Sequence, residues 1–167
     1  MPGPLLAVAA VPPSSLIAVV AGSSLVFLAI LGGLAARVGG VRFSIDEWMA
    51  QLFLPDLPPP MDLAWIMARV QRCERRIWAS AMDIAATGRD VVLDLGLMQA
   101  RHRRDLREQA QAAGHVAQLH FVDAPPALRR ERVVARNLER GETFAFEVTP
   151  AMFDVMEARF EPPNDEE

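Results

Sequence analysis

Residues 90–96 read DVVLDLG, three consecutive apolar residues framed by aspartates and closed by a glycine. A run that is apolar without alternation suits a strand covered on both faces, and such strands belong to parallel sheets. The flanks carry helical patterns. Upstream, Leu63, Ile66, Val70, Cys73, Ile77, Ala81 and Ile84 recur at spacings of three and four, predicting a helix from Asp62, as N-cap, to about Thr87, with Gly88 as its stop. Downstream, Gln99 to Ala113 reads as a polar helix ended by Gly114, and VAQLHFV (116–122) as another strand.

The alternation continues outward. VRFSI (41–45) predicts a strand and DEWMAQLF a helix after it, while LPDLPPP (54–60) is a loop because proline fixes φ and removes amide donors. Pro125 and Pro126 open an arginine-rich helix, ALRRERVVARNLER, running to Gly141. Thr149-Pro150 starts a short last helix, AMFDVMEARF, and an acidic tail over 161–167 is expected to be disordered, while residues 1–14 are expected to form a flexible N-terminus. The expected fold class is α/β, a parallel sheet with right-handed crossovers and helices on both faces.

Composition narrows the class. The chain has 167 residues, 51% apolar and 23% charged, which is one globular domain with a real core. A net charge of -4 and a pI near 5.4 argue against a general nucleic-acid binder. Cys73 is the only cysteine, so there is no disulfide framework, and a reducing, cytoplasmic setting fits. His102, His115 and His120 lack the spacing of a zinc site. All 17 basic residues are arginine; the chain contains no lysine.

Residues 1–36 carry no charged side chain. Within them Leu16 to Ala36, LIAVVAGSSLVFLAILGGLAA, is as long as a bilayer-spanning helix, about 30 Å for some 20 residues. Arg37 and Arg42 follow it, as the positive-inside rule asks of a helix with its C-terminal domain in the cytoplasm. Against a span stand Gly22, Ser23, Ser24, Gly32 and Gly33 and the absence of flanking aromatic anchors. The alternative division is a first, central strand, LIAVVA, and a following helix, SSLVFLAILGGLAARV, capped by Ser23 or Ser24.

Parallel α/β sheets place function at the carboxyl ends of their strands, and two acids fall there. Asp46 directly follows VRFSI and Asp94 ends VVLD. FSIDEW after a Leu-Ala-Ala-Arg helix end, then DVVLDLG, then LHFVDAP with an arginine-rich helix and RN, resembles the P-loop ATP-binding family of small kinases, similar to zeta-toxin-like and chloramphenicol-phosphotransferase-like enzymes. The resemblance covers residues 16–160, making 15–160 a P-loop NTPase, kinase-like domain. It implies ATP and Mg²⁺ as cofactors and phosphoryl transfer to a hydroxyl of a small molecule.

On that resemblance Asp46 accepts the proton of the attacking hydroxyl, Asp94 serves as a metal or water ligand near the phosphates, and Arg132 and Arg136 are lid arginines that clamp the migrating phosphate. The chemistry suits these residue types: phosphoryl transfer asks for positioning and charge neutralisation, and a carboxylate can orient a hydroxyl and take its proton. Structural alternatives stand beside each role. Asp46 could simply cap a helix, Asp94 could cap a turn, and the arginines could form a solvated helix face.

The nucleotide loop itself departs from the family. Counting back from LAARVGGVRFSIDEW, its first glycine falls on Ala21, its second on Val26, its lysine on Phe27 and its Ser/Thr on Leu28. Glycines let backbone amides converge on phosphate, and the lysine reaches the β- and γ-phosphate oxygens. Here only Gly22, Ser23 and Ser24 are left to present amides to an anion. Three expectations follow: a weakened phosphotransferase, a non-catalytic pseudokinase-type binding module, or a kinase-like domain anchored to the membrane by residues 16–36.

Overall fold

The computed structural model describes residues 15–21, 28–60, 62–140, 147–164 and 167. Its centre is a four-stranded sheet, parallel in every pairing. The strands are β1 (Ser15–Ala21), β2 (Val41–Ser44), β3 (Val91–Asp94) and β4 (Val116–Val122), in the order β2-β3-β1-β4. All four residues of β3 are buried, with Val91, Val92 and Leu93 fully so, as expected of an interior strand with an unalternating apolar run.

Leu16–Ala36 does not form one helix. The stretch divides between β1 and α1 (Leu28–Val38), and among the described residues no helix is long and apolar enough to cross a membrane. β1 lies between β3 and β4, the central position expected of it. The expected flexible segment 1–14 and the loop residues Gly22, Ser23 and Ser24 lie outside the described residues.

The turn from α1 into β2 explains the Gly39-Gly40 pair. Gly39 takes φ +62°, the left-handed conformation that ends helices. At Gly40 a Cβ would come within 2.7 Å of the Asp90 carbonyl oxygen, so only glycine lets the chain enter the sheet where the Val41 N–H bonds that same carbonyl at 3.0 Å.

The remaining helices are α2 (Ile45–Leu52), α3 (Leu63–Ala85), α4 (Ala100–Ala112), α5 (Pro126–Glu139) and α6 (Pro150–Arg159). Asp62 caps α3 as expected, accepting from the N–H groups of Ala64 (2.8 Å) and Trp65 (3.3 Å). Cys73, Ile77, Ala81 and Ala85 form its buried stripe, and the first three join Leu16, Ile45, Met49, Val91, Leu93, Leu97 and Leu106 in the core. Leu63, expected on that stripe, is 67% exposed. Thr149 caps α6, accepting from the Met152 N–H.

The acidic tail meets α4. The Glu161 N–H donates to the Met98 carbonyl, and the Glu161 carboxylate accepts from the Ala100 N–H at the start of α4 (2.8 Å). Arg103, only 2% exposed, donates to the Leu97 and Glu161 carbonyl oxygens (3.2 and 2.8 Å) and to both oxygens of the Glu167 carboxylate. Arginine can be buried here because its fork of donors meets several acceptors at once.

Candidate active site at the carboxyl edge of the sheet

The register brings the ends of three strands level. Ser44 of β2 and Val19 of β1 both pair with Asp94 of β3, so β1 ends two residues beyond the level of Asp94. Paired residues of a parallel sheet share a face, and the buried Ser44 hydroxyl donates to Asp94 Oδ2 at 3.3 Å.

The junction of β2 and α2 sets Asp46. The expected strand VRFSI loses its last residue to the helix, since Ile45 buries its side chain from the first helical position and Met49 repeats that one turn on. Phe43 and Trp48 meet edge to face across the junction, with ring centroids 6.1 Å apart. Ser44 holds the N-cap position and Asp46 the second position of the first turn, so Asp46 is not the cap residue. An acid there is favoured by the helix dipole. Half-buried Asp46 projects from the helix start toward the carboxyl edge, where its charge is felt by both Asp94 and Arg136.

Asp94 is 6% exposed, and its environment resists its charge. Burial is the main cause that pushes its carboxyl from the ordinary 3.8 up to about 6; Asp46 and, more weakly, Glu47 push the same way, against the Ser44 hydrogen bond and the Arg42 charge. Arg42 is itself ion-paired with Glu47. Among the described residues, no group of three or more His, Cys, Asp or Glu could hold a metal ion by itself.

Arg136 comes from α5. Arg129, Val133 and Arg136 follow one another at spacings of four and three, and the first two are buried, so Arg136 continues the inward face of the helix. Burial draws its guanidinium below the usual arginine range while Asp46 draws it back up. Arg132 lies half-buried one turn earlier on α5. Arg129 is bound elsewhere: it pairs with Glu157 of α6 and with Asp123 at 3.6 Å, and lies over the Phe160 ring.

Of the residues marked in the sequence, the structure thus brings together Asp46, Asp94 and Arg136. Sequence reasoning missed Ser44, Arg42 and Glu47. Ser44 and Glu47 lie within FSIDEW and Arg42 directly before it, so that motif was the available signal, because a site at the end of a strand draws on its last residues as well as on the loop beyond.

The fold is thus a parallel α/β sheet with Asp46 and Asp94 at its carboxyl edge and Arg136 of α5 near them. The chain belongs to the AAA domain family, whose model matches residues 31–163. It is similar in fold to a gluconokinase from Sinorhizobium meliloti 1021, at 15% identity and a TM-score of 0.54 over 93% of this chain and 79% of that one. It is also similar to a chain of the Pnkp1/Rnl/Hen1 RNA repair complex, at 15% identity and a TM-score of 0.62 over 90% of this chain and 45% of that one. A chain of the Pnkp1/Rnl/Hen1 complex gives 14% and 0.53, over 74% of this chain and 40% of that one. This chain therefore matches less than half the length of those two. No curated protein matches it.

Proposed function

We propose that this protein is a nucleotide-binding, kinase-like protein that transfers a phosphoryl group, slowly, from ATP to a hydroxyl of a small molecule. The observation that carries the reading is the convergence of Asp46, Asp94 and Arg136 at one edge of the sheet, where each answers a need of phosphoryl transfer. Asp46 is the group to orient the hydroxyl and take its proton. Arg136 is the cation for charge on the transferring phosphoryl oxygens, with Arg132 beside it on the same helix.

Mg²⁺ fits this oxygen-rich, net acidic corner. Asp94 and the Ser44 hydroxyl would hold it, and a nucleotide's own oxygens and water would have to complete its shell, which a hard cation that keeps much of its water accepts. When bound, the ion would neutralise phosphate charge. Gly22, Ser23 and Ser24 are the backbone donors we assign to the nucleotide phosphates, on the family register.

The absence of lysine sets the expected rate. One preorganised electrostatic donor is worth on the order of 10²-fold in kcat, so turnover is expected well below that of a lysine-bearing relative. The same absence favours a second reading, a binding module without turnover. Calorimetric titration of Mg-ATP beside an assay of phosphate release and transfer, on wild type and Asp46→Ala, separates the two. Slow turnover lost in Asp46→Ala is the expected result. Binding with no turnover leaves the module, and a folded protein that binds no nucleotide overturns both readings.

A further inference from the structure

Asn137, next to Arg136 in the sequence, has no place in the roles assigned so far. Its half-buried side chain makes three hydrogen bonds. The amide oxygen accepts from Arg136 Nη2 at 3.2 Å and from the Val148 N–H at 3.2 Å, while the amide nitrogen donates to the Val148 carbonyl at 2.9 Å. Both acceptor positions of the oxygen are filled. Reversing the amide would set its nitrogen against two donors and its oxygen against a carbonyl, so chemistry alone fixes the orientation.

Val148 lies eleven residues along the chain, and Asn137 grips it through both backbone groups in the manner of a strand partner. The oxygen held by that grip is the one that receives the guanidinium. Long arginine side chains lose rotamer freedom when ordered, and a fixed acceptor placed before the ligand arrives removes that cost from the binding step.

We propose that Asn137 is a positioning residue: clamped to Val148, it holds the Arg136 guanidinium toward Asp46 in readiness for phosphate. The proposal rests on the reading of Arg136 as the phosphate-facing cation. Aspartate could keep both acceptor contacts and lose only the donor; alanine would lose all three.

The test uses the full chain, isotopically labelled, as wild type, Asn137→Ala, Asn137→Asp, Arg136→Ala and the Arg136→Ala/Asn137→Ala double variant. Nitrogen relaxation of the Arg136 guanidinium and hydrogen exchange of the Val148 amide are read by NMR, and kcat and KM for Mg-ATP are measured alongside. In Asn137→Ala the guanidinium should become mobile, the Val148 amide should exchange about fivefold faster, and kcat should fall by about 10- to 100-fold. Asn137→Asp should keep Arg136 ordered. Adding Asn137→Ala to Arg136→Ala should cost no further activity, since the asparagine acts through the arginine.

An Arg136 guanidinium equally ordered in folded Asn137→Ala overturns the proposal, and so does an additive loss in the double variant. If Asn137→Ala does not fold, loss of guanidinium order in Asn137→Asp serves as the overturning result. Unchanged turnover in Arg136→Ala would remove the phosphate role of Arg136, a different failure, and the NMR comparison would still decide whether Asn137 holds it.

Discussion

Two buried polar clusters in this protein are built on opposite terms. Around Arg103 every charge has its answer: the guanidinium is held by two backbone carbonyls and a carboxylate, and Glu161 caps the helix from which the arginine projects. Around Asp94 the balance fails. A buried carboxylate has one serine bond of 3.3 Å and the Arg42 charge in its favour, against burial and two further carboxylates whose charges oppose its own. A cluster that completes itself holds elements together, whereas one left electrostatically incomplete is what a cationic ligand would complete.

The contrast can be broken at its satisfied end with the largest effect. Arg103→Ala should remove about 3 kcal/mol or more of stability, because the carbonyls and carboxylate that converge on the guanidinium lose their donor together. Urea unfolding at equilibrium measures it; a loss under about 1 kcal/mol would mean that water replaces the arginine freely.

At the unsatisfied end the sign should reverse. The folded-state carboxyl of Asp94 titrates above its unfolded value, so the native state binds the proton more tightly, and stability falls as pH rises from about 4 through about 6. Asp94→Asn should therefore stabilise the protein by about 2 to 3 kcal/mol at pH 7.5 and leave it nearly unchanged at pH 4. Thermal unfolding at the two pH values checks this. Destabilisation at pH 7.5 would show that the carboxylate is better paired than its surroundings suggest.

Two smaller substitutions test structure away from both clusters. Gly40→Ala places a methyl against the Asp90 carbonyl at the amino end of the same strands and should cost about 2 kcal/mol. Asp62→Ala removes the α3 cap and should cost about 1 kcal/mol. Neither should alter nucleotide affinity, which calorimetry on the variants would show; a large change for Gly40→Ala would mean that strain at the amino end reaches the Asp94 edge.

Much of the fold was legible because its signals are local. The Val-Val-Leu run of β3, the Asp62 cap and the proline starts of α5 and α6 each state their element within a few residues. The acids at the strand ends were legible through topology, as parallel sheets gather function there. Pairings across the chain were not. Ser44 and Asp94 are fifty residues apart, and their bond depends on a register no local pattern encodes. Helix α4 reads as a polar surface helix, and nothing in its sequence marks Arg103 as buried, since its partners Glu161 and Glu167 lie some sixty residues further on. Ile45 shows the limit at a boundary: it extends a strand pattern by propensity, but core packing draws it into the first turn of α2.

The order of the strands has a consequence for synthesis. β1 is made first, yet its neighbours in the sheet are β3 and β4, and Ser15 pairs with Val116, about a hundred residues later. At about 5–20 residues per second, an apolar strand destined for the interior waits on the order of 5–20 s for the second of its partners to be translated. Until β3 is made neither backbone edge has its native partner, and until β4 follows one edge stays open. The apolar opening of this chain is thus a demand on whatever shields the growing chain at the ribosome, imposed by topology before any chemistry of the finished protein begins.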